Sequence, residues 1–491
     1  MNSNEDRAPL FDALLQHAKR KPASFHVPGH KQRETAYWAE DASIFRELLS
    51  IDLTELSDTD DLHQPEGVIA EAERLAARCF GAEESCLLVG GSTSGNLAMI
   101  LGVCQPGELL LVQRNVHKSV IHGLILAGAR AVFLSPEIDP DSGLALAPSS
   151  ATVEAALDRY PLAKGLVLSN PNYYGQASDL SSHIAFAHER DIPVLVDEAH
   201  GPHFGRHAAF PMGSLSLGAD AVVQSAHKML SAMTMGAYLH LQGERVNRQT
   251  VRQYLRMVQS SSPSYPIMAS LDLARWQVQT QGESLFNDAL AVSDEIRTAL
   301  ALSPIQVLPL QGASFGWRGD PLKLVITDAT GTLTGFELRD ELESQGCLAE
   351  MADDRYVVLA LGTGTRAEDG EALVGAVGEI IHKYGLQKKP YKENLSHSQI
   401  EYQAITEPPY SSPVAFTRHS PKTESLVLEE AEGRRCGEWI IPYPPGIPEL
   451  YPGEEITAAA IHRLKQWRLQ GSRIQGAEDQ GLKRVRVIAE E

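Results

Sequence analysis

Polar residues suited to anion binding follow the first of several short apolar runs in the sequence. The stretch 90–96, Gly-Gly-Ser-Thr-Ser-Gly-Asn, comes directly after the apolar run 86–89. Its glycines allow a tight turn, and the hydroxyls of Ser92, Thr93 and Ser94 together with the amides of a helix start can cradle a phosphate. The stretch lacks the lysine of a GxxxxGK[ST] nucleotide loop. The alternative interpretation is a helix cap with additional hydroxyls.

An acid and a lysine follow two further apolar runs. Asp197 comes directly after the run 193–196, and Lys228 follows the run 221–223. Burying a carboxylate costs free energy unless it meets a positive charge, so Asp197 is expected to pair with a protonated ring nitrogen or to form a structural ion pair. A lysine at the end of a buried strand is either a nucleophilic amine or a side chain that reaches the surface.

The three groups together form the layout that pyridoxal phosphate requires. In such sites a lysine binds the coenzyme aldehyde, an acid keeps the pyridine nitrogen protonated, and a polar cradle holds the phosphate. Ser225 and His227 lie just before Lys228 and can add donors to the cradle. His117 follows the run 109–112 and is placed to stack on the coenzyme ring, the alternative being a surface loop histidine. The spacing therefore predicts a pyridoxal-phosphate site without a metal.

The elements that must position these residues alternate between strands and helices. Short apolar runs typical of buried strands alternate with stretches of helical spacing at 96–103 and 182–190. This pattern predicts an α/β domain with a mostly parallel sheet, in which ligands bind at the carboxyl ends of the strands. The apolar runs are 86–89, 109–112, 131–134, 165–168, 193–196 and 221–223.

The remainder of the chain predicts a second, smaller unit and a distinct tail. Residues 243–300 have helical patterns, residues 301–385 mix strands with helices, and residues 388–394 are charged and typical of a linker. The proline-rich stretch 442–448 is expected to form no regular element. We expect an N-terminal segment at 1–60, a large cofactor domain at 61–300, a small α/β domain at 301–390 and a C-terminal region at 391–491.

Composition limits the possible partners. The 491 residues include 43 Lys and Arg against 63 Asp and Glu, a formal charge of −20. The electric field of such a negative charge repels nucleic acids and attracts small cationic substrates. The sequence contains no stretch of 18 apolar residues, so no membrane helix is predicted. The N-terminus does not resemble a secretory signal. The five cysteines form no CxxC pair, which is typical of free thiols in a reducing compartment. We expect a cytoplasmic protein that binds neither nucleic acid nor membrane.

Long motifs of the chain resemble the bacterial Orn/Lys/Arg decarboxylase family, whose members have the aspartate-aminotransferase fold (fold type I). The motif at 25–31, Phe-His-Val-Pro-Gly-His-Lys, begins so early that the chain is similar to the short form without an N-terminal receiver-like domain. Asn172 departs from the family pattern, in which Thr is common. The other matching motifs lie at 52–56, 60–63, 91–96, 115–119, 197–201, 225–228, 261–265 and 442–448.

The resemblance implies an activity and a set of site residues. It implies pyridoxal-phosphate-dependent decarboxylation of a basic amino acid, with arginine preferred over lysine and ornithine, by a homodimer or larger homo-oligomer. Lys228 would bind the cofactor covalently, Asp197 would pair with the ring nitrogen, and His117 would stack on the ring. A proton would return to the substrate Cα from Lys228 or His227. Ala199 would pack below the ring, and His200 would lie beside the cofactor as a further catalytic candidate whose role the resemblance leaves open. The phosphate would be held by Ser92, Thr93, Ser94, Ser225 and His227.

Several alternatives remain open at this point. Glu454 and Asp60 or Asp61 could bind the basic end of the substrate or could be solvated surface acids. An aminotransferase or aldolase-type lyase would keep the cofactor and clamp the substrate carboxylate with an arginine, for which Arg355 and Arg366 are available. A non-catalytic protein that binds pyridoxal phosphate is the third alternative. Release of carbon dioxide from basic amino acids distinguishes the first function from the others.

Overall fold

The computed structural model of the chain describes residues 6–33, 45–312, 316–387, 409–419, 421–443, 448–470 and 473–489. Its α-helices are α1 (Pro9–Arg20), α2 (Phe45–Ser50), α3 (Val68–Phe80), α4 (Gly91–Val103), α5 (Lys118–Ala127), α6 (Ser150–Arg159), α7 (Ser181–His188), α8 (Ala226–Met229), α9 (Arg248–Val258), α10 (Tyr265–Gln281), α11 (Asn287–Leu300), α12 (Gly335–Ser344), α13 (Ala367–Tyr384) and α14 (Ala458–Gln470). Its 3-10 helices are Gly282–Phe286 and Leu428–Glu430.

The strands are β1 (Glu84–Leu88), β2 (Leu109–Gln113), β3 (Arg130–Leu134), β4 (Leu166–Ser169), β5 (Gln176–Ala177), β6 (Val194–Asp197), β7 (Ala221–Gln224), β8 (Ala237–Leu241), β9 (Ile305–Val307), β10 (Arg318–Gly319), β11 (Lys323–Asp328), β12 (Met351–Ala352), β13 (Val357–Ala360), β14 (Val414–Ala415), β15 (Thr423–Val427), β16 (Ile441–Tyr443), β17 (Arg473–Gln475) and β18 (Arg484–Ile488). The chain divides into two compact units. The first comprises residues 1–103 and 193–287, and the second comprises residues 104–192 and 288–491.

The first unit contains four neighbouring strands in the order β1-β8-β7-β6. Strands β6 and β7 run parallel, whereas β8 pairs antiparallel with both β7 and β1. The apolar runs 86–89, 193–196 and 221–223 therefore form strands as predicted. The strand β8 was not predicted, and it makes this part of the sheet mixed rather than parallel. Every residue of β6, β7 and β8 is buried.

Helix α4 begins earlier than the sequence predicts. We expected a tight turn after the run 86–89 and helical spacing from residue 96, but the helix starts at Gly91. The Ser94 hydroxyl donates to the Gly91 carbonyl oxygen at 2.8 Å, so this side chain bonds back to the first residue of the helix. Gly95 allows close packing, since a Cβ atom there would lie 2.4 Å from Cγ2 of Val223 in β7. The polar stretch is thus the first turn of the helix itself.

The second unit contains two main sheets. One has the order β4-β2-β3-β14, with β2 parallel to β3 and β4, and the other is antiparallel with the order β12-β13-β11-β9. The apolar runs 109–112, 131–134 and 165–168 form strands as predicted, and α11 and α13 lie where helices were expected. Within the ranges that the structure describes, no helix combines the length and apolar character that a membrane span needs.

The C-terminal part of the second unit forms its own apolar cluster. Leu428, Cys436, Ile456, Leu464 and Val487 are buried together beside the pairs β15–β18 and β16–β17. The expectation that 442–448 has no regular element is wrong at its start, because Pro442 in β16 pairs with Ile474. A proline is tolerated in such a short edge strand, where one side of the backbone needs no ladder hydrogen bond. Residues 444–447 and the expected linker 388–394 lie outside the described residues.

Candidate active site

Hydroxyl groups from α4 and from the end of β7 meet in the first unit. The Ser92 and Ser225 hydroxyl oxygens lie 2.6 Å apart. The Gly91 amide donates to the Met235 carbonyl oxygen at 2.9 Å, which ties the start of α4 to the segment before β8. Thr93 is exposed and Ser94 is buried. These hydroxyls and the first amides of a 13-residue helix form a group of donors suited to an anion.

Asp197 is the last residue of β6, and its buried carboxylate accepts two hydrogen bonds. The side-chain amide of Asn96 donates to Oδ2 at 2.7 Å, and the Ala199 backbone amide donates to Oδ1 at 3.1 Å. Sequence reasoning did not assign Asn96 to the site. The signal was present, because Asn96 ends the glycine- and serine-rich stretch and therefore lies on the first turns of α4.

Lys228 lies on the short helix α8 just after β7 and is half-buried. Its Nζ atom is 2.9 Å from Nε2 of His200, a buried residue that follows β6. An imidazole and an amine at this distance can exchange a proton. The structure thus brings Lys228 together with His200, whose role the sequence alone did not define.

The segment after β7 is joined through its backbone to the segment after β6 and to the residue before β8. The Ser225 amide donates to the Ala199 carbonyl oxygen at 3.3 Å, and the His227 amide donates to the Gly236 carbonyl oxygen at 3.1 Å. All the residues predicted to contact the cofactor, except His117, lie in the first unit. These are Ser92, Thr93, Ser94, Asp197, Ala199, His200, Ser225, His227 and Lys228.

His117 belongs to the second unit, where it is the N-cap residue of α5. Its Nδ1 atom accepts from the Ser119 amide at 3.2 Å and lies 2.8 Å from the Ser119 hydroxyl oxygen. The imidazole is half-buried. The helix start therefore fixes the orientation of this ring.

Asp60 and Asp61 stabilise their own loop. The Asp60 carboxylate accepts from the backbone amides of Asp61, Glu66, Gly67 and Ile69 at 2.8–3.0 Å. Burial alone would raise the pKa of Asp60, but these amide donors lower it. The Asp61 carboxylate accepts from the His63 amide at 2.8 Å. These contacts favour a structural role for both acids at the start of α3.

Glu454 forms an ion pair in the second unit. Its Oε2 atom lies 3.1 Å from the Arg114 guanidinium, which also donates to the Pro448 carbonyl oxygen at 2.9 Å. The guanidinium lies 4.6 Å from the centre of the Tyr451 ring. Burial raises the pKa of Glu454 to about 7, although the positive charge of Arg114 acts to lower it. The pair attaches the C-terminal region to the end of β2.

The residues of the first unit fit pyridoxal phosphate by the chemistry of their donors. The hydroxyls of Ser92 and Ser225 beside the start of α4 suit a phosphate. Asp197 supplies a buried carboxylate that two hydrogen-bond donors hold in place. A negative charge of this kind is what keeps a ring nitrogen protonated. Lys228 supplies a half-buried amine beside an imidazole.

Comparison with known proteins supports the same interpretation. Residues 8–314 match the Orn/Lys/Arg decarboxylase major domain, and residues 397–480 match the C-terminal domain of that family. The chain is 44% identical to the uncharacterized protein YaaO of Bacillus subtilis over 98% of this chain and 99% of that protein. It is 34% identical to an arginine decarboxylase of Bacillus subtilis over 99% of both chains. Identity to lysine decarboxylase LdcA of Pseudomonas aeruginosa is 24%, over 92% of this chain and 74% of LdcA.

Solved structures share the fold. The lysine decarboxylase LdcF of Francisella novicida has a TM-score of 0.80 at 18% identity, over 99% of this chain and 82% of LdcF. Serine palmitoyltransferase of Sphingomonas wittichii has a TM-score of 0.51 at 18% identity, over 65% of this chain and 77% of that enzyme. The predicted α/β class and the fold-type I architecture are therefore confirmed. The chain belongs to the Orn/Lys/Arg decarboxylase family of pyridoxal-phosphate-dependent amino-acid decarboxylases.

Proposed function

We propose that this enzyme decarboxylates arginine to agmatine and carbon dioxide. Its family acts on basic amino acids, and the preference for arginine is supported by sequence similarity. Relatives named arginine decarboxylase are 34–35% identical over 96–99% of their length. Relatives named lysine decarboxylase are 21–24% identical over 74–75% of their length.

The contact between Lys228 and His200 carries the catalytic part of the proposal. We assign Lys228 Nζ as the attachment point of the cofactor, which when bound supplies an electron sink for the pair released from the bond between Cα and the carboxylate. His200 Nε2, 2.9 Å from this amine, exchanges a proton with it. Lys228 then delivers a proton to the substrate Cα, with His227 as the alternative donor.

The other residues of the first unit hold the cofactor in this proposal. Asp197 keeps a negative charge beside the ring nitrogen, and Asn96 orients its carboxylate. Ala199 packs against the ring. His117 is assigned as the stacking residue from its position after β2 and from the family resemblance. The phosphate is held by Ser92, Thr93, Ser94, Ser225 and His227, with the amides of the first turn of α4 as further donors.

Competing substrates test the proposed specificity. Purified enzyme saturated with pyridoxal phosphate is supplied separately with arginine, lysine and ornithine, and both carbon dioxide and the amine product are measured. We expect kcat/KM to be at least about tenfold higher for arginine, because a pocket that binds a guanidinium leaves donors or acceptors unpaired with the other two. A higher value for lysine or ornithine would overturn the proposed substrate. Keto-acid formation without carbon dioxide would instead identify an aminotransferase.

A lysine variant tests the proposed attachment point. Lys228→Ala should carry no cofactor after borohydride reduction, as measured by mass spectrometry of the protein. Lys164→Ala is the control, because Lys164 is exposed and lies 3.6 Å from Glu108 on the surface of the second unit. Cofactor mass retained in Lys228→Ala would show that the wrong lysine has been assigned.

We also propose that the enzyme is a homodimer or a larger homo-oligomer. Two large apolar side chains near the N-terminus support this, since Phe25 is 94% exposed and Val27 is 66% exposed. Exposed apolar groups close together are typical of protein interfaces. Light scattering of the purified enzyme measures its mass directly, and a monomer at micromolar concentration would contradict the proposal.

A further inference from the structure

Glu198, the residue after Asp197, has a fully buried carboxylate that accepts hydrogen bonds at both oxygens. The Gln224 side-chain amide donates to Oε1 at 2.7 Å. The Ser214 backbone amide donates to Oε2 at 2.6 Å, and the Ser214 hydroxyl donates to the same oxygen. The Glu198 carboxylate therefore joins the end of β7 to the segment that contains Ser214.

A directional chain of hydrogen bonds ends on this carboxylate. Gln224 Oε1 lies 3.1 Å from His240 Nε2, and His240 Nδ1 lies 2.7 Å from the Ser85 hydroxyl oxygen. Burial lowers the pKa of His240 to about 3, so its imidazole is neutral. Because the Gln224 amide nitrogen donates to Glu198, its oxygen must accept from His240 Nε2, and Ser85 must donate to Nδ1. The chain crosses β1, β8 and β7 in order and finishes after β6.

We propose that Glu198 is a positioning residue for the decarboxylation, which holds the ends of β6 and β7 at the spacing that Asp197 and Lys228 require. The inference rests on the proposed roles of those two residues. The Glu198 amide donates to the Val223 carbonyl oxygen at 2.9 Å, so backbone and side chain both join Glu198 to β7. Asp197 bonds to Asn96 of α4, whereas Glu198 bonds to Gln224 and Ser214. The two adjacent acids therefore fix the strand end through separate sets of contacts.

The protonation of Glu198 should affect this positioning. Burial raises the pKa of Glu198 to about 7, although the bonds from Ser214 and Gln224 and the charge of Arg206 act in the opposite direction. The titratable and charged groups around it are Asp197 beside it in sequence, Arg206 on the following loop and His240 on β8. A proton on Oε1 would face the Gln224 amide nitrogen, itself a donor. Activity that depends on this contact should therefore fall as the pH decreases through about 7.

Glu198→Gln separates hydrogen bonding from packing. While Gln224 and His240 keep their wild-type orientations, the introduced amide nitrogen faces a donor in either orientation, which is the Ser214 backbone amide or the Gln224 amide nitrogen. Relief of this conflict requires Gln224 to turn over and His240 to move its proton to Nδ1. The double variant Glu198→Gln with Gln224→Glu removes this conflict. The amide introduced at position 198 then donates to the carboxylate introduced at position 224, which also accepts from His240.

Glu73→Gln is the matched control. Glu73 is another buried acid of the first unit, and burial raises its pKa to about 7 as well. Its carboxylate accepts from the Leu87 amide at 3.0 Å and pairs with Arg252 at 3.1 Å, so it belongs to a different set of contacts.

Three measurements are made on each variant loaded with pyridoxal phosphate, namely thermal unfolding, release of the cofactor on dialysis, and kcat and KM against pH. For Glu198→Gln we expect a kcat lowered by roughly 10- to 100-fold with little change in KM, faster release of the cofactor, and loss of the activity decline near pH 7. The double variant should regain about tenfold or more of the lost kcat. Glu73→Gln should retain the wild-type kcat and cofactor release.

A purely structural role for Glu198 predicts a different outcome. Glu198→Gln would then unfold at a lower temperature but match the wild type in kcat, cofactor release and pH profile, and this would overturn the proposal. A double variant that folds without recovering kcat would also overturn it. If Glu198→Gln does not fold, Ser214→Ala replaces it. Since the Ser214 hydroxyl lowers the pKa of Glu198, its removal should move the activity decline to higher pH, and an unmoved decline would count against the proposal.

Failure of this inference is distinguishable from failure of the proposed function. Cofactor that is not attached to Lys228 in the wild type would overturn the proposed site. Cofactor attached to Lys228, with a Glu198→Gln variant indistinguishable from the wild type, would overturn only the role of Glu198.

Discussion

The Lys228 amine and the His200 imidazole lie 2.9 Å apart at the ends of two neighbouring parallel strands, β7 and β6. The imidazole is buried, whereas the lysine is half-buried. The sequence shows both residues but not their contact, because 28 residues separate them. The contact supports the role in proton transfer at the lysine that we propose for His200.

His200→Gln should impair turnover without preventing attachment of the cofactor. The variant lacks an imidazole to exchange a proton with Lys228 Nζ, so we expect kcat to fall about 100-fold or more. Steady-state kinetics and the visible absorbance of the bound cofactor measure the two effects separately. His122→Gln is the control, because His122 lies on α5 and packs against Trp439 in the second unit. A wild-type kcat in His200→Gln would exclude the proposed proton transfer.

Asn96→Ala should weaken binding of the cofactor. It removes the donor 2.7 Å from Asp197 Oδ2, and a hydrogen bond to a charged group contributes roughly 1.5–3 kcal/mol. We therefore expect the dissociation constant of pyridoxal phosphate to rise about tenfold or more, measured by titration of the apoenzyme. Asn247→Ala, which removes the cap of α9, should change stability but not this constant. Equal affinity in Asn96→Ala and the wild type would show that Asn96 does not support Asp197.

Gly95→Ala should destabilise the first unit. The added Cβ would lie 2.4 Å from Val223 Cγ2 and 2.9 Å from Leu88 Cδ1, and such overpacking costs about 1–3 kcal/mol. Chemical denaturation measures the loss. Gly375→Ala on α13 is the opposite case, since nothing lies within 4 Å of its added Cβ and alanine favours the helix by about 1 kcal/mol. Equal effects of the two substitutions would contradict the close packing of α4 on β7.

Glu454→Gln should become progressively more stable than the wild type as the pH rises. The pKa of Glu454 is about 7 in the folded protein and near 4.5 in the unfolded chain, so the folded state binds the proton more strongly. Stability from this group is thus present below about pH 4.5 and lost as the pH rises through 7. Because glutamine resembles the protonated acid, the variant should gain roughly 2–3 kcal/mol over the wild type between pH 5 and pH 8.

Denaturation of Glu454→Gln and the wild type at several pH values measures this difference. Glu424→Gln controls for loss of an ion pair, because Glu424 is exposed and pairs with Arg434 at 2.6 Å. A difference between Glu454→Gln and the wild type that does not change with pH would contradict the raised pKa.

Much of the fold, and the choice of candidate site residues, followed from the sequence because buried strands appear as short apolar runs with reactive polar residues at their ends. Asp197 and Lys228 stood out for this reason. The strand β8 did not, since His240 interrupts its apolar pattern with a side chain that is satisfied only by Gln224 and Ser85. The start of α4 was placed too late because glycine and serine are typical of loops, whereas in the structure these residues form the first turn of the helix.

Contacts between distant residues were the part that no local pattern could supply. Glu454 resembles a surface acid until Arg114 is found beside it, and 340 residues separate the two in sequence. Asp60 resembles a free carboxylate, yet backbone amides that have no sequence signature occupy it. In both cases the sequence gives the charge but not the partner.

The first unit is assembled from two separated stretches of chain, and this has a consequence for biosynthesis. Ser92 and Ser225 meet across 133 residues, so a nascent chain carries one half of the proposed phosphate cradle long before the other half leaves the ribosome. Closing so long a loop delays formation of the cradle relative to local helices. If these hydroxyls hold the coenzyme as proposed, vitamin B6 capture should accordingly be a late event in maturation that follows synthesis of the second stretch, residues 193–287.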